Sequence, residues 1–399
     1  MDELRIQRNI PVYYTYMGLF QLIIGPIIML YLLDKGLSYT EIMVMEAFFS
    51  VAVVVLEVPS GAVGDLLGRR FSLFLAGLFM ALGAVAYITG ARIWQFMLGE
   101  ALFACGMSLK SGSDTAIVYD SLKTLGKEKT FADIQGKGEA YALGSQIVGS
   151  IISGFVYSLN KELPLLISAV LMVGSSVAAL FLYEIKTYED EKKPGYFQQI
   201  AISARFLVNN QRIRSIVLYG VFFFVFFRIG FWYYQPYFQD VGIPDKYFGL
   251  LFALFNIVAT LTARSAGKLI ERTRGKSMIL LSVLMAASFV LLGVTRYPIG
   301  FVFICLQQVA RGLQMPVFMK YMNKHIPSNQ RATIISFSSL LKNLAVTVAF
   351  PVAGYFMDRI DAVQINLYTG LLMIAGTVFF YFFLKKRMKR AAADEVNPG

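Results

Sequence analysis

Apolar runs follow one another along almost the whole chain, each closed by a short polar connection. A helix needs roughly 20 mostly apolar residues to cross a bilayer core. Twelve runs meet that length: 10–33, 39–60, 71–90, 94–119, 132–158, 163–184, 215–238, 246–265, 277–295, 298–322, 332–356 and 365–384. They are long and continuous, which predicts helices, because a membrane barrel shows shorter, alternating segments. The expected fold is an all-α membrane protein, with twelve transmembrane helices in two six-helix bundles. The connection at 185–214 is the longest. It opens on the charged stretch Glu184 to Lys193 and then Pro194-Gly195. Beyond it Phe197, Ile200, Ala201, Ala204, Leu207 and Val208 recur at helical spacing beside Arg205, Arg212 and Arg214. That pattern predicts an amphipathic helix lying on the membrane surface. The expected organisation is a first bundle at 1–184, a linker at 185–214, a second bundle at 215–390 and a tail at 391–399 of different composition.

Composition agrees with the pattern. Hydrophobic residues make up 57% of the 399 residues and charged ones 16%, against about 25% charged in soluble domains. In water such a chain would expose large apolar patches. The net charge of +12 does not read as nucleic-acid binding, because the basic residues sit in short clusters between spans. With the N-terminus placed in the cytoplasm, the outer connections carry one basic residue each: Lys35, Arg92, Lys161, Lys246, Arg296 and Arg359. The inner connections carry clusters such as Arg69-Arg70, Lys123 to Lys129, Arg264 to Lys276 and Lys385 to Arg390. This asymmetry predicts a multi-pass protein of the inner membrane with both termini cytoplasmic. No cleavable signal peptide is apparent. Cys105 and Cys305 lie inside apolar spans and His325 is the single histidine, so the sequence offers no metal-ligand spacing and no disulfide framework. No cofactor is expected. The expected partners are a small-molecule substrate, protons and the lipid bilayer, with the chain a monomer.

A weak internal repeat supports two halves. Gly61 and Asp65 align with Gly267 and Glu271, and the same offset pairs Ala104 and Gly106 with Ala310 and Gly312. Ser153-Gly154-Phe155 resembles Ala353-Gly354-Tyr355 at a slightly shorter offset. Between spans 2 and 3 the chain reads Gly61-Ala-Val-Gly-Asp-Leu-Leu-Gly-Arg-Arg70, with a degenerate copy, Gly267-Lys-Leu-Ile-Glu-Arg-Thr-Arg-Gly-Lys276, between spans 8 and 9. The first segment resembles the signature loop of the major facilitator superfamily. The resemblance covers roughly 10–385 and implies two related bundles around a midplane site. It implies that Gly61, Asp65, Gly68, Arg69 and Arg70, with Gly267, Glu271 and Arg272, gate the inner side. Asp65 is suited to face the N-terminus of span 11 and Glu271 that of span 5, where helix dipoles favour an anion. The drug–proton antiporter branch is the nearest in feel. Members of that branch often carry an arginine in span 4 and a glycine–proline motif in span 5. Here span 4 has Glu100 and no arginine at that place, and span 5 keeps Ser145, Gly149, Ser150, Ser153 and Gly154 with serine for proline.

Ionisable groups at mid-bilayer cost about 3 kcal/mol or more, so those present are site candidates. Acids fall in the first half: Glu46 and Glu57 on one face of span 2, Glu100 and Asp114 on span 4, Asp120 at its end and Glu139 on span 5. Bases dominate the second half: Arg228, Arg311 and Lys342. Glu46, Glu100, Asp114 and Glu57 are the proton-coupling candidates. Asp114 also stands four residues from Lys110, a pairing distance on a helix. Arg228, Arg311 and Lys342 are candidates for substrate, together with Phe231 and Trp232, and with Tyr13, Tyr16 and Gln21 as an opposite wall on span 1. Trp232, Tyr233 and Tyr234 also fit an interfacial aromatic belt. The function read from this pattern is secondary transport by alternating access, with proton-coupled export of an amphipathic drug or metabolite in the lead. Uptake or exchange of a small organic anion is the alternative, and a non-transporting receptor a remote one. No nucleophile, base or metal constellation suggests an enzyme, and no phosphate-cradling glycine–lysine loop suggests a nucleotide-driven pump.

Overall fold

The structure is a computed structural model that describes residues 2–185, 196–273, 276–326 and 331–396. Among these residues the regular structure is helical, with no strand. Two short pieces, α1 (Asp2–Gln7) and α2 (Asn9–Leu19), are followed by α3 (Ile28–Asp34), α4 (Tyr39–Leu67), α5 (Arg69–Thr89), α6 (Ile93–Lys110), α7 (Ser113–Thr124), α8 (Phe131–Leu159) and α9 (Leu163–Ala179). The rest comprises α10 (Tyr196–Asn209), α11 (Gln211–Asp240), α12 (Phe248–Thr273), α13 (Ser277–Val294), α14 (Phe301–His325), α15 (Arg331–Met357) and α16 (Ala362–Val396). Two compact units result: Met1–Lys192 with Asp245–Ala253, and Lys193–Pro244 with Leu254–Gly399. In the first, α5 packs on α6 and α9, α4 on α6, and α2 on α8 and α9. In the second, α13 packs on α16 and α14, and α11 on α14, α15 and α16.

Local sequence explains several boundaries. Ser38 caps α4 by accepting from the Glu41 N–H (3.2 Å), while the Glu41 carboxylate accepts from the Ser38 N–H (2.8 Å), a reciprocal capping box. Asn210 starts α11 by accepting from the Ile213 N–H (3.1 Å). The amphipathic segment of the linker forms α10, with Leu207 buried and Arg205 exposed.

Nine helices among the described residues are long and apolar enough to cross a membrane. The expected spans 1, 4 and 6 are not among them. Span 1 is broken. Its last regular bond is from Phe20 N–H to Tyr16 O (2.9 Å), Gln21 N–H then turns back to Leu19 O (2.8 Å), and Ile23 N–H donates to Ser168 Oγ (3.0 Å). A 3₁₀ turn at Gly25–Ile27 restarts the helix. Pro26 lacks an N–H and cannot continue the ladder, so the break falls here. Span 4 is broken at Ser111–Gly112, where Gly112 takes φ 79°, a conformation that favours glycine. Span 6 ends early, at Ala179.

The motif between spans 2 and 3 also differs from expectation. The signature-loop resemblance makes Gly61 a turn and close-approach residue, but it lies inside α4, and an added Cβ would meet nothing within 4 Å. The same is true of Gly267 inside α12. The turn is the single residue Gly68, with φ 95° and the Glu184 side chain 3.0 Å from its notional Cβ. The helix runs on through Pro59, Gly61 and Gly64, so the reversal is compressed into Gly68.

At the end of the second unit, Asp361 caps α16 by accepting from Gln364 N–H (2.7 Å) and from Arg296 (3.1 Å). Burial works against its charge and is outweighed by these donors, so the carboxyl titrates below the usual aspartate range. Its folded pKa is thus below its unfolded one. The stabilisation is present above the unfolded value and is lost as pH falls through the depressed folded value. Thermal unfolding followed from pH 7 to pH 3 should show a small acid loss that is reduced in Asp361→Asn.

Candidate substrate and coupling sites

In the first unit a buried acid meets a buried hydroxyl. Glu100 is buried (4% exposed) on α6, and Tyr87, 1% exposed on α5, donates its O–H to the Glu100 carboxylate. The tertiary packing supplies Glu100 with Tyr87 from the neighbouring helix. The half-buried Glu46 of α4 also lies within electrostatic reach of that hydroxyl. The Tyr87 ring is held by Phe96 edge-on (5.5 Å) and Phe103 (5.3 Å), and it presses on Gly99, whose notional Cβ would lie 2.5 Å from the ring. Glu57 is exposed, further along α4 and away from this cluster.

Asp114 belongs to a second group. It sits just past the break in span 4, pairs with Lys110 and accepts from the Thr115 N–H (2.7 Å). Lys110 Nζ lies 5.6 Å from the Phe20 ring centroid, at the break in span 1. Tyr13 and Tyr16 are within electrostatic reach of Asp114. Both tyrosines are buried (2% and 0% exposed). Tyr16 O–H points to Leu73 O (3.5 Å) on α5, and the Tyr13 ring fills the space beside Gly138 on α8. The pair is packed between helices of its own unit, not spread on an open wall. Gln21 is half-buried, donates to Met17 O (3.2 Å), and lines a groove of about 960 Å³ between α2, α8 and α9 with Tyr14, Tyr141 and Ser145.

At the face expected to be cytoplasmic, polar groups staple the first unit. Arg69 pairs with Asp120 of α7. Glu184 caps α5, its two oxygens accepting from the N–H groups of Arg69 (3.0 Å) and Arg70 (2.7 Å). Asn9 is fully buried; its Nδ2 donates to Ser121 Oγ (2.8 Å) and Tyr183 O (2.9 Å), and its Oδ1 accepts from Tyr183 N–H (2.7 Å). The Arg70 side chain is exposed. The Asp65 side chain lies outside the described residues, as does that of His325. In the second unit Gly267, Glu271 and Arg272 are all exposed near the end of α12.

The second unit holds the cations. Arg228 is half-buried on α11 with its guanidinium 5.7 Å from the Phe350 ring centroid. Lys342 Nζ on α15 lies 5.6 Å from the Phe224 centroid and 5.8 Å from that of Phe318, a geometry in which ring quadrupoles attract a cation. Arg311 on α14 donates to Asn256 Oδ1 (3.0 Å) and Gln308 Oε1 (3.3 Å). Gln308 Nε2 donates to Tyr234 Oη (3.1 Å), and Tyr234 donates to Gln307 Oε1 (2.8 Å). Trp232, Tyr233 and Tyr234 are 4%, 3% and 3% exposed, so they form interior packing and not a lipid-facing belt. Phe231 is half-buried and meets Trp232 edge-on at 5.5 Å.

Tyr87, Asn9, Asn256, Gln307 and Gln308 are buried polar partners in these hydrogen-bond networks that the charge pattern does not single out. Polar residues inside apolar spans are the signal that could find them. Gln307, Gln308 and Arg311 fall at i, i+1 and i+4 on one side of α14, but neutral amides weigh less than charges in a search for buried ionisable groups.

Helical packing in two units, with nine helices among the described residues long and apolar enough to cross a membrane, defines a polytopic membrane protein. The family model of the Major Facilitator Superfamily matches residues 12–241 and again 217–397. The chain belongs to that superfamily and is an integral, multi-pass transporter rather than an enzyme. It is similar to the uncharacterized MFS-type transporter YxaM of Bacillus subtilis, with 27% identity over 82% of this chain and 84% of that one. The quinolone resistance protein NorA of Staphylococcus aureus is 20% identical over 44% of this chain and 45% of its own. The solved nucleoside transporter NupG superposes with a TM-score of 0.76 at 14% identity, over 97% of this chain and 99% of that one, a likeness of fold alone.

Proposed function

We propose that the chain is a proton-coupled carrier that exports an amphipathic drug or metabolite across the inner membrane by alternating access, with both termini cytoplasmic. The observation that carries this reading is the buried Glu100 carboxyl held by the Tyr87 hydroxyl inside the first unit. A buried carboxyl with a hydroxyl partner can carry one proton through a transport cycle, because burial and neighbouring groups set how readily it is charged. That proton is lost or regained when the packing of α4, α5 and α6 changes. The partial likeness to a quinolone resistance protein supports export of an amphipathic solute. The breaks in α2–α3 and α6–α7 supply places where helix segments can shift independently. Arg69, Glu184 and Asp120 form the inner-side network through which such a shift would be gated. Asp65, Gly267, Glu271 and Arg272 remain in that gating proposal on the family resemblance.

The test uses purified protein in liposomes with an internal pH dye and norfloxacin as the solute. Addition of solute should drive proton movement in the wild type. Glu100→Gln should reduce that movement at least tenfold while solute–solute exchange continues, and Glu46→Gln should reduce it in part. Undiminished proton movement in both variants would place coupling elsewhere.

A further inference from the structure

The acids and bases of the second unit do not balance. From residue 211 to 390 its acids are Asp240, Glu271, Asp358 and Asp361. All four stand at helix ends or connections. Arg311 and Lys342 lie well inside α14 and α15. Among the described residues Arg311 makes its hydrogen bonds from Nη1 alone, to two neutral amides. A guanidinium has five N–H donors, so most of its donors are unused. Among the same residues Lys342 meets the Phe224 and Phe318 rings and no acid. Both side chains are half-buried, so each retains an accessible edge.

The neutral groups repeat the same imbalance. The hydrogen-bond chain runs in one direction, from Arg311 to Gln308, then Tyr234, then Gln307. It ends on Gln307, which is 0% exposed and whose Nε2 has no partner among the described residues. Trp232 Nε1, on α11, is a second buried N–H of this kind. A stranded buried donor is costly, and each one in a native structure calls for an explanation such as a ligand, an ion or a water. The single buried orphan acceptor among the described residues, Asn366 Oδ1, belongs to α16. Gln307, Arg311 and Phe318 share one side of α14, spread over about 16 Å at 1.5 Å per residue. Two donors and an aromatic ring therefore follow one another along one strip.

We infer that this strip of α11, α12, α14 and α15 is a subsite for an amphipathic organic anion. Its oxygen acceptors take the unused donors of Arg311 and Lys342 and reach toward Gln307 Nε2, and its apolar body lies on Phe224 and Phe318. The inference deepens the carrier reading, on which it rests, by naming the substrate's charge class. It is independent of proton coupling and of the direction of transport.

The test is binding to purified full-length protein at constant pH, by thermal shift and titration calorimetry. The probes are matched sets on one scaffold: 2-naphthoate, 2-naphthamide and 2-naphthylmethylamine, then decanoate, decanamide and decylamine. The acids should shift the melting temperature and bind at least tenfold more tightly than their amides, and the amines should bind least. Arg311→Gln and Lys342→Gln should each weaken the acids about tenfold or more, since hydrogen bonds to charged groups are the strong ones. Gln307→Glu keeps the size of the side chain and the acceptor for Tyr234, so it is expected to fold. It should abolish acid binding and weaken the amides far less, because only the acids are repelled by the new carboxylate. Equal binding of acid, amide and amine, or acid binding unaffected by Gln307→Glu, would overturn the inference. So would the absence of a shift from every acid. Because no pH gradient is present, these outcomes stand apart from those of the Glu100→Gln coupling assay.

Discussion

Asn9→Leu is expected to destabilise the first unit by roughly 2–4 kcal/mol, because it removes one buried and two part-buried hydrogen bonds and a buried polar group left unpaired costs about 1–3 kcal/mol. Leucine is close to asparagine in size but makes none of its three bonds. It removes Asn9 as the partner of the Tyr183 N–H and carbonyl and removes a donor from Ser121 Oγ. These bonds join the start of α2 to the end of α7 and to the segment just past α9, so the loss is felt by three elements together. Ser121→Ala should cost much less, because Ser121 contributes one of the three contacts and otherwise only bonds Ile117 O on its own helix (2.6 Å). Thermal unfolding in detergent, with ligand-free protein, measures both. An Asn9→Leu melting curve that coincides with the wild type would contradict the expectation.

Gly106→Val should carry the next largest penalty. A Cβ on Gly106 would lie 2.8 Å from the Ala76 backbone oxygen and 2.5 Å from Met80 Cγ. The methionine can bend away, but the backbone oxygen cannot. Overpacking of this kind typically costs about 1–3 kcal/mol. Gly99→Val is the informative companion. Its side chain would enter the space of the Tyr87 ring, the group that donates to Glu100. The expected result is a lowered melting temperature together with diminished solute-driven proton movement. Gly106→Val, about two turns of helix further on, should lower stability with a smaller effect on coupling. Equal loss of coupling in both would detach Tyr87 from proton transfer.

Much of the fold is legible in the order of residues, and the reason is the solvent. Hydrocarbon requires every backbone group to be satisfied within the segment, so long apolar runs become helices almost independently of their neighbours. Spans 2, 3, 5 and 7 to 12 therefore stand near their expected positions, and the linker helix falls where its apolar spacing puts it. Spans 1 and 4 depart from expectation because hydropathy averages over a window and does not register a local break. Pro26 and Gly112 are visible as residue types, yet proline and glycine also sit inside intact helices here, as Pro59, Pro236 and Gly61 do. Whether such a residue breaks a helix depends on a partner for the freed backbone groups. Ser168, which takes the Ile23 N–H, is far away in sequence.

The repeat shows the same division. Offset alone pairs Gly106 with Gly312, and both prove to be close-approach sites. Gly106 meets α5 through Ala76 O, whereas Gly312 meets α12 through Ala259 O. The shared feature is a small residue where backbones approach, and the neighbour differs between the halves.

The medium, the helical class, the two-part organisation and the segregation of acids to one half and bases to the other all follow from the order of residues. Those properties depend on composition and period, which are local. Packing settles the rest: that Glu100 meets Tyr87, that Asp120 and Glu184 occupy the Arg69 turn, and that Arg311 ends in a chain of amides closing on Gln307. Those pairings join residues far apart in the chain, and only the packing angles of the helices bring them within the few ångströms at which a hydrogen bond exists.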